Sequence, residues 1–236
     1  MNFAATVIPS NKEMAKALQD CGAILLTANI LTSEGLAAMS EAAERLHSKS
    51  EDEWDYSIPL TAPVSFAPRT DRQNRTFTPK IGVDRISVIR PETEEFIPFK
   101  QWDIALTLEF SEPEIHCPRW HFDMANVGQP GPITHLQYGG YRHENNDHLD
   151  TSVQEPRWFI APMDVILLSE VVAANFYHET WISALREEPR WQTLVHTSQK
   201  LCYPHYLAQL QRSIGVTGAN AVLCASWNDK WADLRP

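Results

Sequence analysis

Nine histidines are spread through the 236 residues, and the run WHFDM sets one of them, His121, two positions before Asp123. Side chains at i and i+2 of a β-strand point to the same face. On a strand, this imidazole and carboxylate could therefore grip one metal ion. A third ligand would complete a 2-His-1-carboxylate facial triad, the arrangement that leaves open positions for oxygen chemistry at iron. His178, in NFYHETW, is the candidate for that ligand. Arg190 follows it, and its planar guanidinium suits bidentate pairing with the carboxylate of a co-substrate. The plain alternative is a half-buried strand histidine at 121 and a helix-surface histidine at 178. A second His-x-Asp pair, His148 and Asp150, lies in the polar run HENNDHLD, so it is strand context that singles out His121.

Other combinations carry less chemistry. His116 and Cys117 adjoin in EIHCPRW, where a thiolate beside an imidazole could be a nucleophile. Neighbours on a strand face opposite ways, so that pair would need a loop. His135, Tyr138, Arg142 and His143 surround a glycine pair in HLQYGGYRHENN, which reads as a turn or a binding loop. Arg69, Arg72, Arg75 and Lys80 form a local basic stretch, expected to be a solvated loop rather than an anion site. The sequence holds no GxGxxG, Walker, HExxH or GxSxG motif, which disfavours the commonest nucleotide, zinc-protease and serine-hydrolase classes.

The elements that must position these residues follow from punctuation and period. A hydrophobic fraction of 43% and a charged fraction of 21% describe a globular chain able to close a core, here expected as a single domain over 1–236. Ten of the sixteen prolines lie between 59 and 132, which excludes long helices there and leaves strands and loops. Candidate strands are Arg85–Ile89, Ile104–Phe110, Arg119–Met124, Ile133–Tyr138 and Trp158–Ile160, the third and fourth paired as an antiparallel hairpin. Before them, Asn11 is placed to cap a helix ending at Gly22, Ala23–Leu26 reads as a buried strand, and Thr32 or Ser33 caps a second helix ending before the acidic run at 50–55. After Pro162, apolar residues recur at helical spacing from an Asp164 cap, and again from Trp191 and from Tyr203. The expected class is α+β, a mostly antiparallel central sheet flanked by N-terminal and C-terminal helices.

Partners and compartment follow from charge and cysteine usage. A formal charge of −10 disfavours nucleic acid. No apolar run is long enough for a membrane span, and the start lacks the features of a secretory signal. The four cysteines form no CxxC pair and read as reduced thiols of a cytoplasmic protein.

Two stretches, ALQDCGAILLTANILTSEGLAAMSEAAERL and WHFDM with His178 and EEPRWQTL, resemble the iron- and 2-oxoglutarate-dependent oxygenases of the phytanoyl-hydroxylase-like branch. The resemblance implies a double-stranded β-helix and hydroxylation of a small-molecule substrate. It also implies Fe(II) held by His121, Asp123 and His178, with 2-oxoglutarate on Arg190. One departure is visible: residues 164–185 read as helix, where that family has a strand. The runner-up is a non-catalytic adaptor with a protein partner, since Pro-rich strands between helices are similar to the ubiquitin-conjugating-enzyme-like core. The eight tryptophans, notably Trp181, Trp191, Trp227 and Trp231, would serve such an interface if exposed.

Overall fold

Ser10, rather than Asn11, caps the first helix of the chain. The structure, a computed structural model, describes residues 8–90, 97–115, 117–125, 132–139 and 156–215. The Ser10 hydroxyl accepts from the Glu13 backbone N–H while the Glu13 carboxylate accepts from Ser10, a reciprocal capping box. α1 then runs Asn11–Thr27 unbroken, which corrects the expected stop at Gly22 and the expected strand at Ala23–Leu26. Gly22 is there for closeness: a Cβ on it would lie 2.8 Å from Cδ1 of Leu36, on α2 (Ser33–His47). The chain reverses instead near Asn29, whose φ of 55° is left-handed, a conformation asparagine tolerates. Freed from capping, the buried Asn11 amide donates to the carbonyls of Leu46 and Lys49 at 2.9 Å each. That satisfies carbonyls a helix end leaves over and ties the start of α1 to the end of α2.

Among the described residues one antiparallel sheet follows, of eight strands. Its path is β1 (Glu53–Ile58), β4 (Thr76–Ile89), β5 (Phe99–Phe110), β6 (Arg119–Met124), β7 (Thr134–Tyr138) and β8 (Trp158–Phe159), while β2 (Val64–Ser65) and β3 (Arg69–Thr70) both pair with β4. The expected antiparallel sheet between helical flanks is present. Each described strand from β4 to β8 pairs with its sequence neighbour in this single sheet, and no double-stranded β-helix is found among the described residues. β4 begins nine residues earlier than the expected strand at Arg85–Ile89, and Pro79 sits inside it. In an antiparallel strand a residue's N–H and C=O point to one side, and the Pro79 carbonyl accepts from Phe66, so the missing N–H falls where β2 has ended.

Alternation gives the sheet two unlike faces. Phe77, Ile81 and Val83 of β4, Trp102, Ile104 and Leu106 of β5, and Phe122 of β6 pack under the helices. The Trp102 indole donates to the Met163 carbonyl at 2.6 Å and so anchors the entry to α3 (Val165–Phe176). Asp164 caps α3 as expected, accepting from Leu167 at 2.9 Å, and its second oxygen accepts from Ser198 at 2.7 Å. Ser198 belongs to α5 (Pro189–Cys202), which Glu188 caps. α4 (His178–Thr180) and a π-helical turn at Trp181–Leu185 connect α3 to α5, and α6 (Pro204–Gly215) follows. Among the described residues no helix is long and apolar enough to cross a membrane.

Two substitutions test this packing. A Cβ at Gly35 would meet the Ser65 backbone carbonyl at 2.3 Å, and backbone cannot swing aside. Gly35→Ala should lower the unfolding free energy by about 1–3 kcal/mol in urea titration; an unchanged midpoint would contradict the α2–β2 contact. Burial raises the Asp164 pKa, against the opposing effect of its cap bonds. A carboxyl whose folded pKa lies above its unfolded value adds stability that is fully present below the unfolded pKa and lost as pH rises through the folded one. Asn can keep the cap, so the stability of Asp164→Asn relative to wild type should rise as pH increases across the carboxylate range, measured by thermal melts at a series of pH values.

Candidate functional site

Arg119–Met124 is a strand, and His121 and Asp123 occupy its outer face while Trp120, Phe122 and Met124 alternate towards the helices. The flanking strands supply two further groups. Asp123 lies directly opposite Asp103 of β5 on one side and His135 of β7 on the other. The four side chains form a row of alternating acid and base. Nε2 of His121 is 2.7 Å from Oδ1 of Asp103, and its Nδ1 is 3.5 Å from Oδ2 of Asp123. Oδ1 of Asp123 is 2.5 Å from Nε2 of His135, a close polar contact lying off the line of a hydrogen bond. Nδ1 of His135 lies 3.0 Å from the Pro132 carbonyl. A carbonyl only accepts, so Nδ1 is the protonated nitrogen and Nε2 is the one turned to Asp123.

Three groups of this row are partly exposed and the fourth is sealed. The side chains of Asp103, His121 and Asp123 are 18%, 13% and 22% exposed, and that of His135 is 1% exposed. Asp103 opens on a cleft of about 340 Å³ on the same face, walled by Ile58, Pro59, Leu60, Asp84 and Arg119 and floored by Gly82 and Ala105. The floor is flat because Gly82 and Ala105 face each other across β4 and β5, with His121 next in that cross-strand row. Asp84 is the extra residue of a bulge in β4, between the pairs Val83 with Ile104 and Arg85 with Asp103. Bulges re-aim side chains in this way at sites and edges.

Compared with protein-family models, with curated proteins and with solved structures, the chain matches none. The site has to be read from its own geometry.

That geometry brings together only part of the expected set. His121 and Asp123 share a face, but His178 is an exposed residue of α4, stacked on Trp181 with its Nδ1 3.2 Å from the Ala174 carbonyl. The apolar period of 165–176 makes that stretch a helix on the core face, and His178 continues its line, across the sheet from His121. Arg190 is exposed in the first turn of α5 and lines a separate groove with Ile24, Ala28 and Leu185. The facial triad and its 2-oxoglutarate arginine are therefore not assembled. Among the described residues, no three His, Cys, Asp or Glu side chains are arranged to hold a metal ion. The row explains why: the two nitrogens of His121 face different carboxylates on opposite edges of the ring, so the donors do not converge on one point.

The remaining expectations resolve similarly. Arg75 pairs with Asp71 at 2.7 Å, Lys80 with Glu109 at 2.5 Å, and Arg69 lies over the Tyr177 ring, so these three cations are engaged with their own neighbours. Cys117 is a free thiol, while His116, Arg142, His143, His148, Asp150, Trp227 and Trp231 fall outside the described residues. Trp191 is buried and donates to Glu170, so it is core and offers no interface. The groups that sequence reasoning missed are Asp103 and the place of His135 beside Asp123. For Asp103 the signal was alternation, since it falls between the buried Trp102 and Ile104; His135, buried beside Thr134, carries no such signal.

The row generates a stability test. Like charges directly opposite on a sheet destabilise it, and Asp103 and Asp123 are so placed with an imidazole against each. His121→Ala should cost about 1–3 kcal/mol by leaving the Asp103 carboxylate without its donor opposite Asp123, and adding Asp103→Asn should recover at least half of that loss in a double-mutant cycle. Additive costs in urea denaturation would show that His121 does not mediate between the carboxylates.

Proposed function

We propose that this chain is an acid–base enzyme acting without a resident metal on a small molecule held in the Asp103 cleft. The observation that carries the proposal is the Asp103 carboxylate, opening on the cleft and hydrogen-bonded to His121, with Asp123 and His135 next in the same cross-strand row. Asp103 is the group that meets the substrate and takes or returns its proton. His121, on Oδ1 of Asp103, is a positioning residue that holds the carboxylate in one orientation. Asp123 lies 3.5 Å from the other ring nitrogen of His121, and His135, fixed by the Pro132 carbonyl, packs against Asp123. Proton transfer by a group placed in this way contributes about 10²- to 10⁴-fold in rate. A row of this kind could also serve only to stitch the strands together; its position at the edge of a cleft rather than in sealed core favours use.

Iron- and 2-oxoglutarate-dependent oxygenation is a proposal that His121 and Asp123 alone support. The residues present do not fit its full ligand set, and no step is derived through iron here. The adaptor proposal has Trp158, 64% exposed, in its favour.

One experiment separates these. Purified protein is incubated with a small-molecule cell extract in the presence of EDTA, and the extract is compared by mass spectrometry with one treated with Asp103→Asn. Wild type should deplete at least one compound at a rate that falls by a factor of about 100 or more in the variant. Depletion that appears only when EDTA is replaced by Fe(II) and 2-oxoglutarate would overturn the metal-free proposal in favour of the oxygenase, and equal profiles under both conditions would leave the adaptor.

A further inference from the structure

We infer, resting on the acid–base reading of the Asp103 cleft, that its ligand is a small molecule carrying a cationic group, an amine or amidinium, on an apolar body. A Cβ on Gly82 would lie 2.4 Å from Cδ2 of Leu60 and 3.2 Å from its Cγ. Leu60 therefore lies directly over the glycine, on the turn closed by the Ala62 N–H donating to the Pro59 carbonyl at 2.9 Å. It is 47% exposed and walls the cleft with Pro59, while the side chain of Ile58 is buried in the core. A large apolar side chain left half in water beside a floor of Gly82 and Ala105 is the kind of wall that a flat apolar body would cover, gaining roughly 25 cal/mol per Å² removed from water.

The polar part concerns sign. Asp84 and Asp103 bring two carboxylates to the lining, against the single guanidinium of Arg119, which is sunk to 4% exposure. His121 takes Oδ1 of Asp103 and leaves Oδ2 for a ligand. An amidinium or ammonium set there makes a charge-assisted hydrogen bond in a partly desolvated site. An anion entering the same way would meet the Asp103 carboxylate, on a chain whose formal charge is −10. Ligand size is bounded by the cleft volume of about 340 Å³, room for one ring and its substituent rather than for a folded peptide.

Benzamidine is a direct probe because it joins an amidinium to one aromatic ring, and benzoate is its anionic counterpart. In ¹H–¹⁵N spectra of the full chain, millimolar benzamidine should shift the amides of Gly82, Ala105 and Asp103, and benzoate at equal concentration should not. Asp103→Asn should weaken benzamidine at least tenfold. Leu60→Ala, a surface change that leaves the fold intact, should weaken it three- to tenfold. Tighter binding of benzoate, unaltered affinity in both variants, or no shift with either compound would overturn the inference. Binding needs no turnover, so the two proposals fail separately. Substrate depletion without benzamidine binding removes the ligand class alone, and benzamidine binding without depletion removes the acid–base reading alone.

Discussion

The pairing of β4 with β5 sets the face on which every other group must lie. These are the two longest strands, of 14 and 12 residues, and side chains alternate strictly along them. Up to Val83 the odd-numbered residues of β4 face the core; from Ile86 the even-numbered ones do. The switch is the bulge at Asp84. Without that one extra residue, either Phe77 and Ile81 or Ile86 and Val88 would be turned to the outer face, because a slip of one residue exchanges the faces. The bulge thus keeps a continuous core while delivering a carboxylate to the cleft, so that packing and site share one cause.

On the outer face the same register creates an electrostatic problem, because it sets Asp103 and Asp123 against each other. Imidazoles from β6 and β7 answer it, and they do so in a line. A line and a cage differ physically. A metal cage needs donors converging on one point about 2 Å away, whereas each nitrogen of His121 is directed at a different carboxylate. The arrangement joins Asp103 and His121 by a hydrogen bond, sets Asp123 and His135 beside them, and leaves its Asp103 end opening on the cleft.

What the sequence could reveal divided along the range of the interactions. WHFDM was legible as a strand with two polar residues on one face because alternation is local. The Asp164 cap and the Glu188–Pro189 break were legible for the same reason. Gly22 was misread because a glycine inside a helix and one that ends a helix look alike until Leu36 is seen pressing on it. Pro79 and Gly82 concealed most of β4, since each is a breaker in isolation; one is tolerated where β2 stops and the other where Leu60 descends. His178 and Arg190 had the right residue types at suggestive distances along the chain. Only the partners reached through register, Asp103 and His135, share the face of His121, and register across strands has no local sign.

The helical layer accounts for that separation. Glu170 accepts from the indoles of both Trp181 and Trp191, at 2.9 and 2.5 Å, and Asp164 joins the start of α3 to Ser198 of α5. Two carboxylates thus pin α3, the π-helical turn and α5 to one another through fully or largely buried partners, and a partner lost there would leave a buried acceptor unsatisfied. His178 and Arg190 flank this clamp. Moving either towards His121 would require breaking the clamp and passing the sheet itself, whose core face is filled by Trp102, Ile104 and Phe122. The layer that stabilises the fold is therefore what keeps these two residues from the site, and chemistry on the outer face has to be built from strand residues alone.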